Sequence, residues 1–543
     1  MPRRGSFDQS TLIVDKPAPN PAIACLEQFS ESDYTQLRQL SLSSSPLDGD
    51  SLRSVAQSRI RSYVFANVPL RIIKLPEMKL IERSMAVDYL VKTKLENVMR
   101  QAEAVAQEAR DEIISKWVED IARYAILSHT WGVEEPDYQD FHQPSCHGKQ
   151  GYKKLNNFCN IAHEDYKVEF AWADTVCIDK SSSAELDESI RSMSTWYRNA
   201  AICIAYVGQT TSLLDLAADR WFTRGWTLQE LLSPSRLKFY NKDWLPLTHF
   251  RNDKIREEDA RTLSGGTYSL QFRLLSDAIL TAAGIKPRHF RDFEPGFVSP
   301  SLPERMKWVA RRLTTRAEDK SYCMMGIFGV SMLVAYGEGP ERAFFRLFQA
   351  ILDVACERHW FLWAGKAVPR HIHPSRMIPS GPECYLSSNL KISALEALKM
   401  GSFDVPLSLT NVGLSMRLLV VPAHVAPPHD CGSSSDLRVY CSLFNDIAMV
   451  KGTPHKSNTD EFALGIFGGS PVTLVSGLLE RVYAILLRRI SSRTNWERYE
   501  TDAPLTFRFN DRFGDAVRMY FAKMEWTIVG NREEDLKLET VYL

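Results

Sequence analysis

One short segment, residues 220–232, gathers the side-chain types that could do chemistry: two tryptophans, two arginines and a single carboxylate among leucines. The leucines recur at helical spacing, which predicts a helix with one buried face. Pro234 then ends that helix. The carboxylate of Glu230 therefore lies in an apolar setting, where it is either held by an arginine or has its pKa raised by burial.

Two alternatives for Glu230 stay open at this point. In one, the carboxylate forms a structural ion pair with Arg224 or Arg220; Arg224 could instead hold a phosphate. In the other, burial raises the pKa of Glu230 and the carboxyl is a candidate for catalysis. Buried carboxylates are more often paired than catalytic, so the residues alone favour the ion pair.

Four other candidates for a site lie at or near the ends of predicted strands. His129 either binds a ligand or transfers a proton, or it is a structural histidine that caps the following loop. Trp131 either stacks on a base or covers the edge of a sheet. Asp174 and Asp179 are candidates to bind ribose hydroxyls, and Asp179 could equally cap the helix that starts near Ser181.

The elements that must position these residues alternate along the chain. Apolar runs without alternation predict strands that are buried on both faces of a sheet, and helical patterns separate them. This alternation of strands and helices predicts a doubly wound, mostly parallel α/β sheet. In such sheets ligands bind beyond the carboxyl ends of the strands, where these candidates lie. The predicted strands are 125–127, 170–179, 200–207 and 237–240.

Composition is that of an ordinary soluble protein, with 44% hydrophobic and 24% charged residues. Basic and acidic residues both number 66, so the balance gives no indication of a nucleic-acid partner. No apolar run is long enough to span a membrane, and no secretory signal follows Met1. The ten cysteines are irregularly spaced, which indicates a reduced, cytoplasmic protein without a metal site. Glycine-rich phosphate-binding motifs are absent, so no cofactor is expected to be required.

A chain of 543 residues is too long for one core, so several domains are expected. We predict a disordered Ser-rich tail at 1–65, a strand and a long helical segment at 66–122, the α/β core at 123–250, a helical extension at 251–365 and a mostly-β C-terminal domain at 366–543. The strands expected in the last domain are 405–421, 437–444, 462–467, 482–490 and 505–509.

Successive blocks of the chain form a recognisable ordered set. They are Tyr-Ala-Ile-Leu-Ser-His-Thr-Trp-Gly at 124–132, Trp-Ala-Asp-Thr-Val-Cys-Ile-Asp-Lys at 172–180, Ser192-Met193 with Trp196-Tyr197, and the tryptophan-rich segment at 221–232; shorter blocks follow at 304–306, 314–319, 326–330 and 336–339. In this order and spacing, over about residues 69–365, they resemble the fungal heterokaryon-incompatibility (HET) domain and the segment that often follows it.

The resemblance implies a role in fungal non-self recognition and regulated cell death, through self-association or contact with other signalling proteins. HET domains also resemble, distantly, the Toll/interleukin-1-receptor (TIR) domain, a doubly wound, flavodoxin-like sheet. Residues 226–231 are similar to the TIR pattern Trp-Cys-x-x-Glu-Leu, with Thr227 in the Cys place. TIR enzymes use that glutamate to cleave the nicotinamide–ribose bond of NAD, so the likeness implies Glu230 as a catalytic residue and NAD as a substrate. A third hypothesis is a non-catalytic structural interaction module.

Overall fold

The computed structural model of the chain describes residues 49–104, 109–263, 270–296, 300–355, 358–386, 407–426, 436–441, 447–451, 460–467, 482–490, 495–507 and 537–542. Within these ranges, no helix is long and apolar enough to cross a membrane. The same ranges contain no group of three or more His, Cys, Asp or Glu side chains placed to hold a metal ion. The cysteines among them are buried.

The N-terminal part differs from the predicted tail. Residues 1–48 lie outside the described residues, but 49–65 belong to helix α1 (Gly49–Asn67), so the prediction of disorder is wrong there. Leu52, Ala56, Ile60 and Val64 recur every four residues and are buried, which gives the helix an apolar face despite its serines. The elements that follow are β1 (Arg71–Lys74), β2 (Lys79–Glu82), α2 (Arg83–Glu103) and α3 (Arg110–Ile121).

The predicted α/β core contains a six-stranded mixed sheet in the order β2-β1-β4-β3-β5-β6. Strands β3 to β6 run parallel to one another, whereas β1 pairs antiparallel with both β2 and β4. Nearly all residues of the four parallel strands are buried, which explains their uninterrupted apolar runs. The strands are β3 (Tyr124–His129), β4 (Phe170–Trp172), β5 (Ile202–Tyr206) and β6 (Leu237–Tyr240).

Helices connect the parallel strands as the alternation predicted. Between β3 and β4 lie α4 (Tyr138–Phe141) and α5 (Gln150–Glu164), between β4 and β5 lies α6 (Ser183–Asn199), and between β5 and β6 lies α7 (Thr227–Leu232). The second strand is shorter than predicted, because the chain turns after Ala173, whose carbonyl accepts from the amide of Cys177. The coarse α/β prediction is confirmed, while the predicted domain limits stay predictions.

The chain continues as a series of short helices, in agreement with the predicted helical extension. The helix α14 has the most continuous apolar face, with Ala343, Phe344, Leu347, Phe348 and Ile351 buried. The helices are α8 (Glu257–Leu263), α9 (Leu270–Ala283), α10 (Pro287–Arg291), α11 (Leu302–Ala310), α12 (Asp319–Tyr322), α13 (Met325–Phe328) and α14 (Pro340–Leu352).

The C-terminal part forms a second sheet whose strand pairs are all antiparallel. Alternate residues of its strands enter different cores: Leu418 and Ile485 join the core of the α/β part, whereas Val421 and Ala484 pack in a separate cluster. The strands are β7 (Ser408–Thr410), β8 (Gly413–Ala426), β9 (Asp436–Tyr440), β10 (Ala448–Lys451), β11 (Glu461–Ile466), β12 (Val482–Arg489), β13 (Glu497–Arg498), β14 (Leu505–Phe507) and β15 (Lys537–Tyr542). The mostly-β prediction is therefore confirmed.

Candidate functional site

The tryptophan-rich segment is held in place from a distant part of the chain. It forms a 3-10 turn at Arg220–Thr223 and then the six-residue α7, not the continuous helix that we predicted. The interruption has a physical cause, because the amide of Gly225 donates to the carbonyl of Leu313 at 2.9 Å and the amide of Leu313 donates to Thr223 at 2.6 Å. A Cβ atom on Gly225 would lie 2.5 Å from Cγ2 of Thr314, so only glycine allows this approach.

Glu230 lies in α7 with only 6% of its surface exposed. Its Oε2 accepts a hydrogen bond from Oγ of Ser128 at 2.5 Å, and that same Oγ accepts from the indole nitrogen of Trp221 at 2.8 Å. Burial, followed by the negative charge of Asp174, raises the pKa of Glu230 to about 8. Glu230 is therefore mostly protonated at neutral pH.

Of the two alternatives left open for Glu230, the ion pair is not formed in this structure. Among the described residues, no basic side chain lies within 4 Å of its carboxylate. Arg224 and the buried Arg312 lower the pKa of Glu230 through their charges, but burial outweighs them. The guanidinium of Arg312 instead donates to the Arg224 carbonyl at 2.8 Å and to Oγ1 of Thr227 at 3.0 Å, and so clamps the start of α7.

A second group of candidates meets at the carboxyl ends of β3 and β4. One carboxylate oxygen of Asp174 accepts a hydrogen bond from Nε2 of His129 at 3.1 Å. The other accepts a hydrogen bond from the indole nitrogen of Trp131 at 2.9 Å. Burial raises the pKa of Asp174, but the hydrogen bonds from His129 and Trp131 and the charge of Lys180 outweigh it, and the net pKa falls to about 2. Asp174 is therefore an anion, and Nε2 of His129 must carry a proton to donate to it.

His129 is 5% exposed and is held in its neutral form. Burial, followed by the charge of Lys154, lowers the pKa of this histidine. Its other nitrogen, Nδ1, is buried, has no hydrogen-bond partner among the described residues and lies 3.9 Å from Oε1 of Glu135, which forms an ion pair with Lys154. A neutral imidazole with one free nitrogen can accept a proton or a hydrogen bond, which is the chemistry expected of a ligand-binding histidine.

Trp131 is the most accessible member of this group, with 42% of its surface exposed. The ammonium of Lys180 lies 4.0 Å from the centre of its ring, a cation–π contact that holds the indole plane at the sheet edge. Asp179 is not part of the group. Its Oδ1 accepts from the amide of Ser181 at 3.0 Å and from the hydroxyl of Ser181 at 2.6 Å, in a local turn before the helix α6, whose N-cap is Ser182.

The two groups lie on opposite sides of β3. Ser128 and His129 are successive strand residues, so their side chains leave the sheet on opposite faces. Ser128 bonds to Glu230, whereas His129 bonds to Asp174. Both groups are nevertheless close enough for the charge of Asp174 to raise the pKa of Glu230. The structure thus brings together His129, Trp131 and Asp174, keeps Glu230 beside them, and leaves Asp179 and the side chain of Arg224 outside.

Several residues of the site escaped the sequence reasoning. Ser128 stands inside the recognised Ser-His-Thr-Trp block and could have been found by the alternation of a strand. Lys180 likewise ends the recognised block at 172–180, whereas Lys154 and Glu135 belong to no recognised block, and charged residues of this kind are usually solvated. Arg312 is separated from α7 by more than eighty residues of chain, so no local signal could connect the two.

With this geometry in view, comparison with known proteins gives a definite family. Residues 124–219 match the family described as "Heterokaryon incompatibility protein (HET)". This part of the chain is a HET domain. The match includes strands β3, β4 and β5 together with His129, Trp131 and Asp174, and it ends before Glu230 and α7.

A curated relative of this HET domain is "Vegetative incompatibility protein HET-E-1" from Podospora anserina, which is 37% identical over 245 residues. The aligned part covers 42% of this chain but only 16% of the relative. The similarity therefore concerns one part of a much longer protein. No solved structure matches the chain.

Proposed function

We propose that this chain acts in fungal heterokaryon incompatibility, as a self-associating effector of non-self recognition whose output is regulated cell death. The observation that carries the proposal is the 37% identity over 245 residues to a vegetative incompatibility protein. The matched residues 124–219 include the hydrogen-bonded group around Asp174. Residues 300–330 of the helical extension belong to the same structural unit, because Arg312 donates to the Arg224 carbonyl and so holds the start of α7 in place.

Inducible expression of the full chain in fungal hyphae tests this proposal. We expect wild-type protein to kill the expressing compartments, scored with a vital dye. A matched pair of glycine variants controls for folding: Gly225→Val meets Thr314 at 2.5 Å, whereas a side chain at Gly148 meets nothing within 4 Å. Gly148→Val should kill as the wild type does, and Gly225→Val should not. Normal growth at confirmed wild-type expression would contradict the effector role, and a monomer at all concentrations in light scattering would contradict self-association.

A second candidate function is that of a TIR-like enzyme that cleaves NAD. The order β4-β3-β5-β6 of the parallel strands supports it, because flavodoxin-like sheets begin with the same 2-1-3-4 arrangement. The protonated Glu230 supports it too, since carboxyls with raised pKa are common at sites of glycosidic chemistry. In that reaction water adds to the ribose carbon and nicotinamide leaves. Trp131 would offer a stacking surface and Asp174 an acceptor for ribose hydroxyls.

Nicotinamide release from NAD by the purified chain distinguishes this candidate from the others. If ionised Glu230 stabilises the ribosyl cation, the rate should rise with pH up to about pH 8, as the carboxyl loses its proton. Glu230→Gln should abolish the release. Release that survives this substitution would remove Glu230 from the mechanism, and no release by any oligomer would favour the non-enzymatic alternatives.

The third candidate is an interaction module in which Glu230 is purely structural. The 6% exposure of Glu230 and its bond to Ser128 support this alternative. It predicts that Glu230→Gln, which keeps the shape and the acceptor oxygen, leaves cell killing unchanged. Loss of killing in that variant, with the protein still folded, would argue against a structural role alone.

A further inference from the structure

A cleft of about 400 Å³ lies outside the site described above. Three segments form it: residues 312–321, the first turn of α14, and residues 380–383. Its apolar lining includes Phe344 and Pro382, and its polar lining includes the hydroxyl-bearing Thr314 and Ser321. A volume of this size is at the lower end of what small-molecule sites occupy, on the order of 300–1,000 Å³.

Arg312 lines this cleft and is 2% exposed. Its Nε donates to the Trp308 carbonyl at 3.2 Å, and Nη1 donates to the two acceptors at the start of α7. Its Nη2 is buried and has no hydrogen-bond partner within the described part of the chain. No carboxylate of the described residues lies within 4 Å of this guanidinium. A buried cation without an anion is unfavourable, and an anionic group is what would relieve it.

The other charges that line the cleft do not fill this role. Lys320 and Glu383 neutralise each other, at 2.5 Å. Glu341 lies in the first turn of α14, where it faces the positive end of the helix dipole. The cap residue Gly339 offers no side chain to the free amides of that turn, which therefore add to the positive potential. Arg312 is left as the cation of the cleft that lacks a counter-charge among the described residues.

We propose that this cleft binds a small organic anion, a molecule that carries one carboxylate or phosphate on an apolar body. The anionic group interacts with Arg312 and the amides at the start of α14, and the apolar body packs against Phe344 and Pro382. The site also has a connection to α7, because Arg312 contacts the Arg224 carbonyl and Leu313 pairs with that segment. A ligand in the cleft therefore stiffens the clamp on the tryptophan-rich segment.

Binding of two probes to the full chain tests the proposal without reference to the proposed function. Benzoate and phenyl phosphate carry the required anion, and benzamide is a neutral match for benzoate. We expect saturation-transfer NMR to detect the two anions on the wild-type chain, and benzamide to bind at least tenfold more weakly. The variant Ala317→Trp, which fills the cleft from an exposed position, should lose the signal. The control Ala104→Trp, at an exposed helix end, should keep it.

Three results would overturn the proposal: neither anion binds, benzamide binds as well as benzoate, or Ala317→Trp binds as the wild type does. The conservative Arg312→Lys gives an independent check, because an ammonium cannot reach both α7 and the ligand. If that variant unfolds, the cleft-filling substitution still decides the outcome. Cell killing and NAD cleavage play no part in this measurement, so their failure leaves the result interpretable.

Discussion

Ser128 is the residue on which two buried polar groups depend. Its hydroxyl donates to Glu230 at 2.5 Å and accepts from the indole of Trp221 at 2.8 Å. All three residues are buried, so each hydrogen bond replaces one that water would otherwise supply. This arrangement connects α7 with β3, while burial keeps the carboxyl of Glu230 protonated against the opposing effect of the hydrogen bond from Ser128.

We therefore expect Ser128→Ala to destabilise the protein by about 2–4 kcal/mol, since Trp221 and Glu230 each lose a partner. Urea unfolding followed by tryptophan fluorescence measures the change. The exposed Ser181→Ala, whose hydroxyl bonds to Asp179, serves as the control and should change stability by less than about 0.5 kcal/mol. Equal changes in the free energy of unfolding for the two substitutions would show that the buried hydroxyl of Ser128 stabilises the protein no more than an exposed hydroxyl does.

At this scale the sequence predicted the identities of the site residues better than their partners. The polar residues at strand ends were found because parallel strands end at one edge of a sheet. The partner of Glu230 was expected to be an arginine, but its carboxyl accepts a hydrogen bond from Ser128, and no arginine of the described residues lies within ion-pair distance of it. Whether a buried carboxyl forms an ion pair or stays a neutral acid depends on differences of a few ångströms in distance. The spacing of residues along the chain gives no information about such distances.

Among the elements, the close contact of α13 with α6 is the most constrained. A Cβ atom on Gly326 would lie 2.2 Å from both Cβ and Oγ of Ser194, so the two helices touch at a glycine. The same added Cβ atom would lie 3.4 Å from the side-chain oxygen of Gln229 in α7. The helices α13, α6 and α7 therefore meet at this glycine.

Gly326→Ala should destabilise the chain by about 1–3 kcal/mol, because the added methyl overpacks a rigid contact. The second-site change Ser194→Gly removes the obstructing atoms and should recover part of that loss, although it also removes the hydrogen bond to Ser233. Denaturant unfolding of the single and double variants measures this coupling. Strictly additive effects would contradict the contact, and Gly148→Ala, with open space around it, gives the baseline.

Element types were predicted more reliably than element ends. The four parallel strands were predictable because they are buried on both faces and read as apolar runs. The helix over 220–232 was not, because its interruption comes from the pairing of Arg224 with Leu313. Contacts between residues so far apart in sequence leave no trace in a local pattern.

For the whole molecule, the connection between the C-terminal sheet and the rest of the chain depends on a buried arginine. Arg498 of β13 is 4% exposed and donates to the carbonyls of Phe361, at 2.8 Å, and of Trp363. Its guanidinium also lies 3.6 Å from the centre of the Trp363 ring. Two carbonyls and one aromatic face therefore depend on one side chain.

We expect Arg498→Met to loosen this attachment, because the two buried carbonyls lose their donor, at about 1–3 kcal/mol each. Limited proteolysis should cleave the variant faster, with the first cuts in the C-terminal part. The control is Arg489→Met, which removes an arginine that forms a solvent-exposed ion pair with Glu461 and should leave the cleavage rate unchanged. An unchanged pattern in Arg498→Met would show that the shared apolar core alone holds the sheet.

The architecture at this scale was predicted in outline, with one error at the N-terminus. The mostly-β character of the C-terminal part followed from turn-rich spacing. The helix at Gly49–Asn67 was missed because its serines concealed an apolar residue at every fourth position. The sequence did not predict that the two sheets share one core. A period-two pattern identifies the two faces of a strand, but it does not show which other element packs against each face.

The central claim about the site is that Glu230 is a neutral acid at physiological pH. Carboxyl ¹³C NMR of the chain labelled at glutamate measures this directly, and the Glu230→Gln variant assigns the signal. We predict one carboxyl that titrates near pH 8 and is missing from the variant. A midpoint near the ordinary value of about 4.3 would contradict the claim and indicate a charged carboxylate instead.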